Sequence, residues 1–472
     1  MLKIVRTQLS GKSRKVAWEG CGKSSVLNRS YGFLPGAASP HSSVRIYMIL
    51  LAMLTVMSAC DWNPLLEEED SPVPQQAEVF KTPVHEDLLG PGTNIRPGRN
   101  GDVYTVTNLN KNGKGSLRYG VETARGPRTI IFATSGKIKD GDPLSIKANN
   151  VRIAGMTAPW PGIVYEGSIR IWSKDVMIEY LTVLVGTSTN KAEDALTIFG
   201  TGNYVFYRCL FAWSRDETID IVNQVNGVTY KHCIISESLD NKDHAFGGLF
   251  HANKGRVLLD GNLFSHHAGR MPMSRIKELY IANNIFYDRS GRFVELYNQN
   301  GLRTKNMIVD NIFQEGPSRP RQLNSKVVHS NKTSLFDGTK IYIHGNRWSA
   351  NQKNFKSPRE EYQAYISNFP SGDFGANSPL FSITGRNRMS VDKTESYVLS
   401  NVGPFPGNRF KIAQRIVDNY WRKKGKVIDS PSQVGGTPSV PVNKRKLDVP
   451  ANPHRKDNNG YTRLENWLSS FY

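Results

Sequence analysis

The chain has 472 residues, with 61 Lys+Arg against 41 Asp+Glu, for a formal net charge of +20. Hydrophobic residues make up 38% and aromatic residues 10%, which excludes a disordered chain of low hydrophobicity. Cys21, Cys60, Cys209 and Cys233 are too few for a disulfide scaffold, and the basic balance suits a polyanion without choosing among nucleic acid, anionic lipid and acidic glycan.

Residues 1–59 hold eight Lys/Arg and one Glu, so +7 of the net charge lies there. Residues 44–60 read VRIYMILLAMLTVMSAC: one arginine, an apolar run, small Ser58 and Ala59, then Cys60. The run is shorter than the ~20 apolar residues of a membrane span. Its order of charge, apolar stretch and small residues is that of a secretory signal. A cysteine at the cleavage point resembles a bacterial lipobox, so Cys60 is the expected lipidation site. The expectation is an exported protein, cleaved before Cys60 and held at the cell envelope by a lipid anchor. An ordinary signal peptide with an incidental cysteine, giving a secreted or periplasmic protein, is the alternative. Residues 60–99, acidic and then proline-rich, read as a tether.

Residues 100–350 read as one domain, and between 150 and 350 they carry a repeat. Short β-rich segments end at Gly155, Tyr180, Cys209, Cys233, Asn262, Asn284, Asn311 and Asn346, at steps of 22 to 35 residues. Most continue with an apolar pair, as in Leu263-Phe264, Ile285-Phe286 and Ile312-Phe313. A second series interleaves with the first: DALTI (194–198), ETIDI (217–221), FGGLF (246–250), RMPMS (270–274) and RFVEL (292–296). Two strand series with matched steps imply coils of at least two strands each, stacked as a β-solenoid. A propeller blade needs a longer repeat, and a sandwich lacks this regularity. Asparagines at one register suggest an inward ladder. Cys209 and Cys233 at that register suggest stacked buried thiols, with a disulfide as the alternative. Residues 115–125 (GSLRYGVETAR) predict a short capping helix. Residues 351–472 read as loops and a helical tail, with helices near 413–421 and 461–471.

Charged residues accumulate along the second series: Asp194, then Asp216 and Asp220, then Lys242, then Arg270 and Arg275. Stacked strands lie ~4.8 Å apart, so these residues would form one stripe, acidic at one end and basic at the other. Three carboxylates on adjacent coils repel unless a cation sits between them, and oxygen-only ligands select a hard cation such as Ca²⁺. His266 and His267, adjacent on a strand, would face opposite ways and not share one ion.

NLNKNGKGSLRYGVE, PRTIIFATSGKI and VRIAGMTAPWPGI resemble the opening of bacterial pectate lyases. DALTI…NYVFYRCLFAWSRDETIDI resembles their calcium segment, HHAGRMPMSR the segment with their catalytic arginine, and SPSQVGGTP and NGYTRLENWL their tail. The resemblance to the pectate lyase superfamily spans roughly residues 103–470. It implies an all-β, right-handed parallel β-helix that cleaves polygalacturonate by calcium-dependent β-elimination. It also implies Asp194, Asp216 and Asp220 as calcium ligands, Arg270 as the group that takes the C5 proton, and Arg275 and Lys242 as substrate contacts, with His244 a neighbour. Where the family usually has Asp-His, this chain has Tyr207-Arg208. Neutral arginine at about pH 8.5 costs about 5 kcal/mol in water, so an alkaline optimum is expected. A monomer acting on an acidic polysaccharide, without nucleic acid, is the expected assembly. The alternatives are a lyase for another acidic polysaccharide and a non-catalytic surface glycan-binding lipoprotein.

Overall fold

Each repeat segment is too short to bury a face alone, so its core comes from the segments stacked above and below. The computed structural model describes residues 88–186, 192–240, 244–298, 301–318, 326–334, 338–369, 373–383 and 385–472. The signal segment with Cys60, and Lys242, lie outside the described residues. Among the described residues the strands form three sheets, of ten, nine and nine strands. Neighbouring coils pair in parallel. The first sheet holds the segments that end in the ladder residues. The second holds the series Leu196–Ile198, Glu217–Ile221, Phe246–Phe250, Met273–Ser274 and Val294–Asn298. The apolar pairs open the strands of a third sheet, including Leu263–His267, Ile285–Arg289 and Ile312–Gln314. The chain is a parallel β-helix with three strands per coil.

A single left-handed residue turns the chain from the first sheet into the third. Arg208, His232, Gly261, Asn283, Asp310 and Gly345 all have φ between 51° and 75°. Each stands immediately before a ladder position. Glycine, asparagine and aspartate tolerate this region; arginine and histidine adopt it at a cost.

The predicted asparagine ladder is present and has a direction. Asn262 Nδ2 donates to Asn284 Oδ1 (2.9 Å), Asn284 Nδ2 to Asn311 Oδ1 (3.0 Å), and Asn311 Nδ2 to Asn346 Oδ1 (2.9 Å). Each Oδ1 also accepts a backbone N–H from the preceding coil, beginning with that of Cys233 (2.8 Å). The amides thus point their positive ends the same way. The row ends on a carboxylate: Glu361 Oε1 accepts from Asn346 Nδ2 (2.7 Å) and from its backbone N–H (3.0 Å). Cys209 and Cys233, one coil apart at the same register, are buried free thiols, as the repeat suggested.

Helix α1 (Leu117–Glu122) starts at Ser116, whose side chain accepts from the Tyr119 N–H, and buries Leu117 and Val121 in the main core. Helix α2 (Pro358–Tyr365) delivers Glu361. Helices α3 (Val391–Asn401) and α4 (Lys411–Arg422) lay Val398, Leu399, Ile412 and Ile416 over Leu210, Ile234, Leu263, Ile285 and Ile312. The second members of the apolar pairs, such as Phe211, Phe264 and Phe286, face the main core instead. Both members are apolar because both sides of this sheet are covered. Helix α5 (Arg463–Ser469) packs Leu464 and Leu468 beside Ile131, Met177 and Val205 on the first sheet.

The expected tether is described only from residue 88, and from there it differs from the sequence reading. Leu88 is buried in the α5 cluster, Pro91 accepts a hydrogen bond from Thr229 Oγ1 (2.7 Å), and Arg99 pairs with Glu465 (2.6 Å). Its prolines and glycines shape a strap on the first sheet rather than a free linker. Among the described residues no helix is long and apolar enough to cross a membrane.

Removing Glu361 would strand the donors of Gly345 and Asn346. Glu361→Ala is expected to destabilise the protein by about 3 kcal/mol, and Glu361→Gln by less, measured as the shift of the urea unfolding midpoint.

Candidate active site

On the second sheet, Ile169, Leu196 and Ile219 face the core while the residues between them face outward. Pairing registers stack Arg170, Thr197, Asp220, Leu249, Met273 and Glu295 one above another on that outer face. Toward the start of these strands the register pairs Glu217 with Phe246, and Asp194 and Asp216 lie just before their strands.

Asp194 precedes Leu196–Ile198 and is fixed from two sides. Its Oδ2 accepts from Thr197 Oγ1 (2.7 Å) and its Oδ1 from the Glu217 N–H on the next coil (3.1 Å). Oxygen atoms of Asp194, Asp216 and Glu217 lie within 4.8 Å of one another, a spacing at which three carboxylates can share one cation. Asp220 stands beside them: it is the leading charge acting on Asp194, and its buried Oδ1 has no hydrogen-bond partner among the described residues. Of the sequence-predicted acids, Asp194 and Asp216 thus come together directly, with Glu217 completing the set and Asp220 adjoining it.

The electrostatics of this cluster are unfavourable for anions. Burial, and then the charge of Asp220, push the Asp194 carboxyl well above the usual carboxylate range. Burial and then Glu217 raise Asp220 to about 8. Burial and then Asp216 raise Glu217 to about 7, with Arg270 opposing. Carboxylates that outnumber their cationic partners in a poorly solvated place prefer to be protonated. An all-oxygen donor set with an orphaned buried oxygen fits a hard divalent cation, which would remove that penalty.

Arg270 belongs to the same site. Its guanidinium lies 3.9 Å from the ring centroid of Phe246, on the intervening coil, and pairs with Glu217 two coils away. Its backbone is left-handed (φ 53°) and its N–H donates to Glu295 Oε1 (3.2 Å). Arg275 donates Nε–H to the His251 carbonyl (2.9 Å) and lies beside the Tyr297 ring (5.8 Å). Tyr297 Oη and His251 Nδ1 bond across Arg275's coil (3.1 Å), and burial followed by the Arg275 charge lowers the His251 pKa, which favours the neutral ring. His244 Nδ1 meets Asp216 Oδ1 at 3.1 Å.

The sequence reading missed Glu217. Its signal was the 23-residue step from Asp194, the same step that separates DALTI from ETIDI. His266 and His267 behave as expected of neighbours on a strand: one binds Asp288 (2.7 Å), the other Ser238 (2.6 Å). Tyr207 and Arg208 lie at the turn out of the first sheet. Arg208 binds Tyr180 Oη (3.1 Å) and Asn401 of α3 (2.9 Å), so this pair takes up the C-terminal tail.

This fold and site define the class: a parallel β-helix whose charged site is assembled across consecutive coils of one sheet. A family model described as "Right handed beta helix region" matches residues 167–347. A probable pectate lyase C of Emericella nidulans is 30% identical over 317 residues, covering 66% of this chain and 70% of that protein. One from Aspergillus fumigatus is 28% identical over 414 residues, covering 81% and 92%. Among solved structures, the chain is similar to a pectate lyase from Bacillus sp. N165 in complex with trigalacturonate. That similarity has 14% identity and a TM-score of 0.47, over 66% of this chain and 96% of that one. The chain belongs to the pectate lyase superfamily, and it is a polysaccharide lyase.

Because Glu217 and Asp220 titrate higher in the folded than in the unfolded chain, the cluster favours folding below about pH 4, and that contribution is lost as pH rises through about 7 and about 8. In excess chelator the melting temperature is therefore expected to fall from about pH 5 to about pH 9. Millimolar calcium should restore it chiefly at the alkaline end, as followed by scanning calorimetry.

Proposed function

We propose that the chain cleaves polygalacturonate by calcium-dependent β-elimination. The observation that carries this reading is that Asp194, Asp216 and Glu217 gather within 4.8 Å while Arg270 touches the same cluster. Asp194, Asp216 and Glu217, with Asp220 adjoining, would hold the cation. Calcium, when bound, would neutralise a uronate carboxylate and so make the neighbouring C5–H more acidic.

The chain's own residues supply the rest. Arg270 is the candidate to receive the C5 proton, since it stands at the acid cluster on a fixed left-handed backbone with an aromatic ring beneath it. As the proton leaves C5, the C4–O bond breaks, its electron pair departs with the oxygen, and a C4=C5 double bond remains. Arg275, fixed by the His251 carbonyl and set beside the Tyr297 ring, is suited to a substrate carboxylate. His244 at Asp216 is a further candidate for substrate contact, as is Lys242 by the family resemblance. A paired-acid hydrolysis needs one carboxyl as proton donor to the leaving oxygen. Here the partner of the acids is a guanidinium, which favours elimination.

Mixing the protein with polygalacturonate is expected to raise the ultraviolet absorbance of an unsaturated uronide, and excess chelator to abolish that rise. Arg270→Lys should lower kcat by at least about a hundredfold with little change in KM. Full turnover in chelator would exclude the cation, and wild-type turnover in Arg270→Lys would exclude the base.

A further inference from the structure

Resting on the cation site proposed above, we infer that Glu217 is the group for which Arg270 and the cation compete, so that metal capture and the placement of Arg270 are coupled. Glu217 is not among the positions that the family resemblance marks. Two independent features meet on it. Its carboxylate is one of the three that gather within 4.8 Å, and it is also the ion-pair partner of Arg270.

A single carboxylate cannot serve both claims at full strength. Bonding to a divalent ion and to a guanidinium would bring two positive charges together in a place that burial has made poorly screened. Glu217 itself has little freedom to choose another position. It opens the strand Glu217–Ile221, and its N–H is tied to Asp194 Oδ1. Arg270 has more. Its guanidinium rests on the face of Phe246, on the coil between, and an apolar ring lets it slide without losing that contact. On its own side Glu295, whose Oε1 holds the Arg270 N–H and whose Oε2 meets Arg292 Nη1 (3.1 Å), offers a second carboxylate. Cation binding therefore frees Arg270 from Glu217, and the arginine's departure leaves Glu217 to the cation. Glu217 is in this sense a positioning residue. Linkage makes the effect reciprocal: the factor by which the cation weakens the ion pair is the factor by which the ion pair weakens the cation.

Calcium titration by calorimetry of the full chain in chelator-stripped buffer tests this without any turnover. Arg270→Gln is expected to bind calcium about tenfold more tightly than wild type, and Glu217→Gln about tenfold more weakly. In the Glu217→Gln background, Arg270→Gln should change affinity by no more than about twofold. Arg275→Gln removes an equal charge but leaves the Arg270–Glu217 pair in place, and should tighten binding by at most about threefold. If Arg270→Gln does not fold, Arg270→Lys replaces it, with a smaller tightening that again disappears in Glu217→Gln. An equal effect of Arg270→Gln with and without Glu217, or no tightening, overturns the coupling and leaves the cation site standing. Absence of calcium uptake by wild type and every variant overturns the cation site and the coupling with it.

Discussion

Parallel backbone pairing between consecutive coils is the constraint on which everything else in this molecule depends. It sets a step of ~4.8 Å between residues that lie from 18 (Ile163 and Leu181) to 38 (Val328 and Ile366) positions apart along the chain. Thr197 stands opposite Asp220, and Asp220 opposite Leu249, for no reason other than that register. A chemical site needs groups of opposite sign within a few ångströms. The solenoid provides this by placing acids on two coils and the guanidinium groups of Arg270 and Arg275 on one coil beyond Phe246. The asparagine ladder holds the register from within. An amide row that runs one way and ends on Glu361 cannot slip by one residue without losing every bond in it.

The treatment of buried charge separates scaffold from site. Away from the site, three buried acids among the described residues are paired with basic groups: Glu179 with Arg152, Asp260 with Lys231 and Arg386, Glu237 with Arg415. These pairs bind neighbouring coils to one another and the tail to the coils. At the site, Asp194, Asp216, Glu217 and Asp220 share the outer face with Arg270 as the cation paired to Glu217. Protonation at lower pH, or the proposed cation, would compensate the remaining negative charge. A polypeptide selected for stability alone would have no use for such a cluster.

Much of this was legible in the sequence, and the gaps have physical causes. The first two strand series declared themselves because each alternates apolar and polar residues with matched coil steps. The third sheet announced itself only as an apolar pair. Its strands are covered on both sides, by the core and by α3 and α4, so Leu263 and Phe264 carry no contrast. The strap of residues 88–99 read as a tether because proline and glycine serve equally in linkers and in tight surface turns. Asp194, Asp216, Asp220, Arg270 and Arg275 stand out in the sequence by their coil spacing and by the family resemblance. Glu217 has no place in the sequence reading; it follows Asp216 directly, and neighbours on a strand ordinarily point apart. Asp216 precedes the strand, where that rule does not operate. The backbone of Arg208 and His232 was invisible for a different reason: the turn demands a left-handed residue, and neighbouring packing imposes it on side chains that would not choose it.

The central claim is that coil stacking makes one cation site out of carboxylates from separate coils. Anomalous diffraction from crystals grown with a calcium-like scatterer addresses it directly. A single strong peak within bonding distance of oxygens from Asp194, Asp216 and Glu217 or Asp220 is the expected result. Saturating cation with no peak there, or a peak held by other residues, would contradict it.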